Sequence, residues 1–147
     1  AEEEYFNGTT FHRVIPGFVI QGGDPNSKLD NRSLHGTGGR AGKFFGLGDE
    51  NDQNTWLIPA EFNDIPHTKG ILSMARTNDP NSASSQFFVW HDNAPFLDKN
   101  YTVFGKVIKG LEVIDLIVNA EKDMNDNPLE KIEMTVVIKD RSEVVKD

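Results

Sequence analysis

Two short apolar runs, residues 11–15 and 18–20, are separated only by Pro16-Gly17, and this spacing leaves the chain few choices. Proline presets the first turn angle and glycine tolerates the unusual second one, so the runs become two strands joined by a turn. The second run ends in Gly22-Gly23, where backbone freedom returns. Arg13 and Gln21 are the polar intrusions in this strand pair. A guanidinium is costly to bury without a partner, so an arginine in an apolar strand either snorkels, pairs with a carboxylate or faces a cleft. For Arg13 alone the ion pair is the simplest reading, and Gln21 alone reads as a strand-end polar residue.

Two later stretches change that balance. One is Ile71-Leu72-Ser73-Met74-Ala75-Arg76, followed by Ser84-Ser85-Gln86-Phe87-Phe88-Val89; the other is Phe96-Leu97-Asp98, leading to Tyr101-Thr102-Val103-Phe104-Gly105-Lys106-Val107. Together with residues 11–24, and in the same order, they resemble the cyclophilin family of peptidyl-prolyl isomerases over residues 5–140. The resemblance implies a mainly β fold: a closed antiparallel barrel with a short helix and long surface loops. It also implies an opening of two strands and a helix that this sequence lacks, so the single domain, residues 1–147, reads as N-terminally incomplete. Residues 1–6 resemble the end of a helix, with Asn7-Gly8 as the turn that follows.

Bulk properties agree with a small globular chain. At 147 residues without an internal repeat, one core suffices, burying roughly 68–70% of the unfolded surface. No apolar run approaches the ~20 residues that span a bilayer, so the chain reads as soluble, with no membrane partner. A net charge of −8 repels phosphate backbones and argues against nucleic acid. The absence of cysteine excludes disulfides and thiolate catalysis but is compatible with either redox compartment. Localisation stays open, with the cytoplasm ahead of the periplasm or secretion.

Residues 24–63 turn to Gly, Asn, Asp and Ser and read as a long functional or mobile loop. Residues 56–62 and 134–138 read as strands, the latter with Met134, Val136 and Ile138 on one face. After Gly110 the density of apolar residues suits a short, well-buried helix. The run 36–43 imitates a phosphate loop, but Thr37 replaces its first glycine and Phe44 its metal-binding hydroxyl. Asp123, Asn125 and Asn127 have calcium-loop spacing, yet Pro128 stands where glycine is essential, and an Asn-rich turn is the better reading. His12, His35, His67 and His91 are scattered without metal-ligand spacing, and His12 reads as a satisfied structural histidine. No metal and no cofactor are implied.

The resemblance assigns the chemistry. Rotation about an X-Pro bond is slow because amide resonance must be broken, at a barrier of ~18–20 kcal/mol. In the twisted state the prolyl nitrogen becomes pyramidal and can accept a hydrogen bond. A fixed guanidinium that donates to it stabilises the transition state selectively, which is the role the family gives the arginine matching Arg13. By the same resemblance Gln21 holds substrate backbone and positions Arg13. Phe18, Val19, Phe88 and Leu97 wall the proline pocket with Met74 close by, and Ala75, Arg76 and Gln86 line the groove for residues preceding proline. Phe96 and Tyr101 stand where many eukaryotic relatives carry Trp and His, a pattern closer to bacterial members. Expected partners are proline-containing peptides and unfolded or flexible chains, met by a monomer. Cyclosporin should bind weakly, because Phe96 lacks the indole N–H that sensitive relatives offer it. The alternative is a non-catalytic proline-peptide binding module or assembly factor.

Overall fold

Gly17 takes φ +75°, which an L side chain rarely adopts, and folds β1 (Arg13–Ile15) back onto β2 (Val19–Gly22) in the register Arg13↔Gln21, Val14↔Ile20 and Ile15↔Val19. The computed structural model describes Ala1 and residues 3–144. It adds β3 (Ile71–Met74), β4 (Phe87–Trp90) and β5 (Val103–Lys106) to make an antiparallel sheet of order β1-β2-β4-β3-β5. Helix α1 (Leu111–Val118) packs on the sheet, and a single turn, α2 (Arg141–Val144), follows the last extended segment. Residues 24–63 are irregular apart from short 3-10 turns at Pro25–Lys28, Arg32–Leu34 and Gln53–Thr55.

Strand alternation divides the apolar residues between two faces. On one face Val14, Ile20 and Val89 meet Ile114 and Val118 of α1, all of them buried. On the other, Val19, Ile71, Trp90, Ala94 and Val103 form a second cluster, with Phe18, Phe88 and Leu97 packed against it. Each fully buried aliphatic side chain is worth about 1.5–3 kcal/mol. Trp90 is anchored twice: its indole N–H donates to Ser73 Oγ at 2.7 Å, and its ring meets Phe18 edge-on at 5.3 Å. At Gly23, φ +90° and the close approach of the Ser85 carbonyl leave no room for a Cβ, which ties the end of β2 to the segment entering β4.

Five expectations are corrected. The sheet is not closed by hydrogen bonds: its ladder ends at β1 and β5. Beside β1, residues 126–134 contribute only single bonds, such as Val14 N–H to Asp126 O at 2.8 Å and Phe11 N–H to Ile132 O at 3.0 Å, and one bridge, Thr10↔Glu133. The outer edge of β5 has no backbone partner among the described residues, and an apolar groove of about 700 Å³ opens between Phe104 and residues 136–138. Residues 134–138 therefore form no strand, although Met134 and Val136 remain half-buried between exposed neighbours. Residues 56–62 likewise make one bridge, Ile58↔Ala83, rather than a strand. Helix α1 is buried on one stripe only; Leu116 is 72% exposed because two turns present just the Ile114–Val118 edge to the sheet. Among the described residues up to Phe6 there are turns rather than a helix end, and Glu4 at φ +56° interrupts any helical run.

Candidate active site

The sheet register aligns a row of side chains across all five strands: Arg13, Gln21, Phe88, Ser73 and Val103 stand opposite one another in turn. Arg13 and Gln21 therefore project from the face that carries Trp90, away from α1. Arg13 Nη1 donates to Gln21 Oε1 at 3.5 Å, a weak contact that leaves Nε and Nη2 without a protein partner among the described residues. No carboxylate pairs with it there, so the simple ion pair is not what the structure shows. Gln21 Nε2 donates to Gln86 Oε1 at 2.8 Å. Gln86 Nε2 in turn donates to the carbonyls of Gly36 (3.0 Å) and Gly38 (2.7 Å). A chain of amides thus runs from the Gly-rich loop to the guanidinium, with each amide held at both ends.

Beside this polar row lies an apolar surface made of half-buried Phe18, Phe88 and Leu97 over fully buried Val19. Tyr101 closes it, its ring 6.2 Å from Phe88 and 4.7 Å from the Arg76 guanidinium. Arg76 is fixed by donating to Asn100 O (2.6 and 3.2 Å) and Thr77 O (2.9 Å). Ala75 is buried, and its N–H donates to Gln86 O at 3.0 Å. Phe96 sits on the 3-10 turn Pro95–Leu97, 72% exposed. Met74 is the expected site residue that the fold does not bring to this face. It alternates with Ser73, and its side chain lines the apolar groove with Leu72, Phe87 and Phe104.

Three contributors had no sequence signal. Trp90 forms the floor under Phe18 and Phe88. His67 and Asp98, 31 positions apart, clamp the turn bearing Phe96 and Leu97: the Asp98 carboxylate accepts from the His67 N–H at 2.7 Å and lies 2.9 Å from Nδ1. The backbone N–H of His67, and then its ring, hold Asp98 below the usual carboxylate range. His12 departs from expectation, since its buried Nδ1 has no hydrogen-bond partner. Burial outweighs the nearby Asp24 charge and lowers its pKa. The 123–127 spacing has a turn explanation: Asp123 Oδ1 accepts from the N–H groups of Asn125 and Asn127, while Oδ2 accepts from Arg32. No cluster of three metal-ligating side chains occurs among the described residues.

Known proteins resemble this chain in sequence and in fold. The family model for cyclophilin type peptidyl-prolyl cis-trans isomerase/CLD matches residues 1–138. A probable peptidyl-prolyl cis-trans isomerase of Brucella abortus is 41% identical over 137 residues, covering 91% of this chain and 65% of the relative. The chain therefore spans just under two thirds of that relative's length. A peptidyl-prolyl cis-trans isomerase of Schizosaccharomyces pombe is 42% identical over 135 residues, 91% of this chain and 76% of the relative. Among solved structures, a Cryptosporidium parvum cyclophilin type peptidyl-prolyl cis-trans isomerase, crystallised in the presence of the dipeptide Ala-Pro, superposes with a TM-score of 0.75 at 30% identity, covering 95% of this chain and 80% of the other. With the family model matching nearly end to end and the mainly β fold shared with a solved member, the chain belongs to the cyclophilin-type peptidyl-prolyl cis-trans isomerase family.

Proposed function

We propose that this chain catalyses cis-trans isomerisation of exposed X-Pro bonds in flexible or unfolded polypeptides, acting as a monomer and without metal or cofactor. The observation that carries the reading is Arg13. It is a guanidinium with free donors and no carboxylate partner among the described residues, on a rigid sheet face beside the apolar surface of Phe18, Phe88 and Leu97. The proline ring would rest on that surface. Gln21, held by Gln86, limits the guanidinium's freedom and leaves its remaining N–H groups for the prolyl nitrogen as the amide twists. The planar amide has no such acceptor, so the bond strengthens only toward the transition state. No proton is transferred and no covalent bond changes.

Ala75, Arg76 and Gln86 would guide the residues before proline, and exposed Phe96 would border the groove as the point of weak contact for cyclosporin. That the Cryptosporidium neighbour was crystallised in the presence of the dipeptide Ala-Pro supports a proline-peptide ligand for this surface. An NMR exchange or protease-coupled assay on a short Pro peptide tests the proposal: accelerated exchange supports it. Binding without acceleration would leave a proline-peptide binding module or assembly factor instead.

A further inference from the structure

Beside Arg13, away from the apolar surface, lies a second cavity of about 370 Å³. It is bounded by Arg13 and Gln21 on the sheet, by Arg32, Ser33 and Gly36 of the Gly-rich loop, and by Asn125 of the loop that follows α1. Its charge is unusual for this molecule. The chain carries a net charge of −8, yet no Asp or Glu lines the cavity, whereas two arginines do. Neither guanidinium is saturated. Arg32 spends Nε and Nη2 on Asp123 Oδ2, Asn127 O and Pro128 O, which fixes its position but leaves Nη1 without a bond among the described residues. Arg13 keeps Nε and Nη2. The carboxylates that bond to its lining residues are already committed: Asp123 to Arg32 and the N–H groups of Asn125 and Asn127, and Asp24 to the N–H groups of Asn26 and Gly36. His12 and His35 also line the cavity, the His12 ring turning its Nε2 edge toward Gly36.

We propose that this cavity is a subsite for a carboxylate of the substrate peptide, carried within two residues of the proline, and that the Gly-rich loop exists in part to bring Arg32 to it. The inference rests on the proline-isomerase reading of Arg13. An anion between the two guanidiniums would be held by charge-assisted hydrogen bonds, and it would steady Arg13 against the side away from the prolyl nitrogen. An acidic peptide would otherwise be repelled by the protein's overall charge, so the preference is built locally.

The test is a set of doubly capped Pro peptides with Glu or Gln at each of the two positions before and after proline, together with a matched pair ending in a free or an amidated carboxyl group. Both kcat/KM and the calorimetric Kd are measured. At one position, or with the free terminus, the acidic form should be favoured on the order of tenfold, the scale of a hydrogen bond to a charged group. Asn125→Asp and, separately, Ser33→Asp each place a carboxylate in the cavity and should bring that ratio to about one or below, with thermal melting confirming that each variant is folded. Acidic-to-neutral ratios within about twofold everywhere, or a preference that survives both variants, overturn the subsite. If neutral peptides bind but are not isomerised, the activity reading fails and the Kd ratio alone decides the subsite.

Discussion

The face around Arg13 and the groove beside β5 have opposite degrees of completion. Around Arg13 the polar groups are joined in sequence, Gln21 to Gln86 and Gln86 to two loop carbonyls, while Nε and Nη2 of the guanidinium have no partner among the described residues. At the groove the apolar side chains are arranged as though to be covered, but Phe104 is 52% and Ile138 59% exposed, and the adjoining strand edge lacks a backbone partner among the described residues. The site depends on β1, β2 and β4, which occupy one side of the sheet order. The groove lies on the opposite face, between Leu72, Met74 and Phe87 on one side and Phe104, Val136 and Ile138 on the other. Preorganisation of the Arg13 face and cover of the groove therefore involve different side chains, and substitutions can address them one at a time.

The largest effect should come from Arg13→Ala. If the guanidinium acts on the twisted amide, kcat falls on the order of 10²–10³-fold while Kd for a Pro peptide changes only a few-fold. Equal losses in both would make Arg13 an ordinary binding group. Arg13→Lys should recover little, because an ammonium lacks the planar fork.

At the groove the expected signature is association rather than activity. An unpaired edge beside apolar side chains invites strand addition, so, with the monomer as the proposed active form, the 147-residue chain at high concentration should melt with low cooperativity or self-associate. Phe104→Lys should shift sedimentation toward monomer while leaving kcat within about twofold, since Phe104 faces away from Arg13. A wild-type chain that is strictly monomeric and melts sharply would show that the groove is not a liability.

Phe96→Trp probes the rim of the site. An indole N–H is worth about 0.5–1.5 kcal/mol as one hydrogen bond, so cyclosporin should bind roughly 2- to 10-fold tighter than to the unmodified chain. Tight binding before the substitution, with no gain after it, would remove Phe96 from the contact.

The smallest effect concerns the loop clamp. Burial alone would raise the Asp123 pKa, but the Arg32 guanidinium and the N–H groups of Asn125 and Asn127 outweigh it and lower it. A depressed carboxylate contributes stability above its unfolded pKa of about 3.9, and loses it as pH falls through the lower folded value. Amide exchange in residues 32–36 should therefore accelerate only below about pH 4, with residues 19–22 unaffected over the same range. Acceleration between pH 5 and 7 would contradict the clamp.

Much of this is legible in the amino-acid sequence. Pro16-Gly17 set the strand pair, alternation within residues 71–74 and 87–90 set two faces, and the motif order pointed to the family and to Arg13. Those features are local: turn angles and side-chain alternation depend on neighbours in the chain. Residues 134–138 show the limit, because their alternation is real but a strand requires a continuous partner, and among the described residues only Met134 exchanges backbone bonds, with Gly8 and Thr9. The family resemblance puts Met74 close by the proline pocket, while the register with Phe87 turns it toward the opposite face. The His67–Asp98 clamp, the Arg32 bonds to residues 123–128 and the unpartnered His12 Nδ1 join positions far apart in sequence or reflect the lack of a partner. Sequence by itself determined which segments could be strands and which polar residues were out of place among them. Only the tertiary structure decided which edges stay open and which charges are left unpaired, because both depend on what packs beside a residue in space.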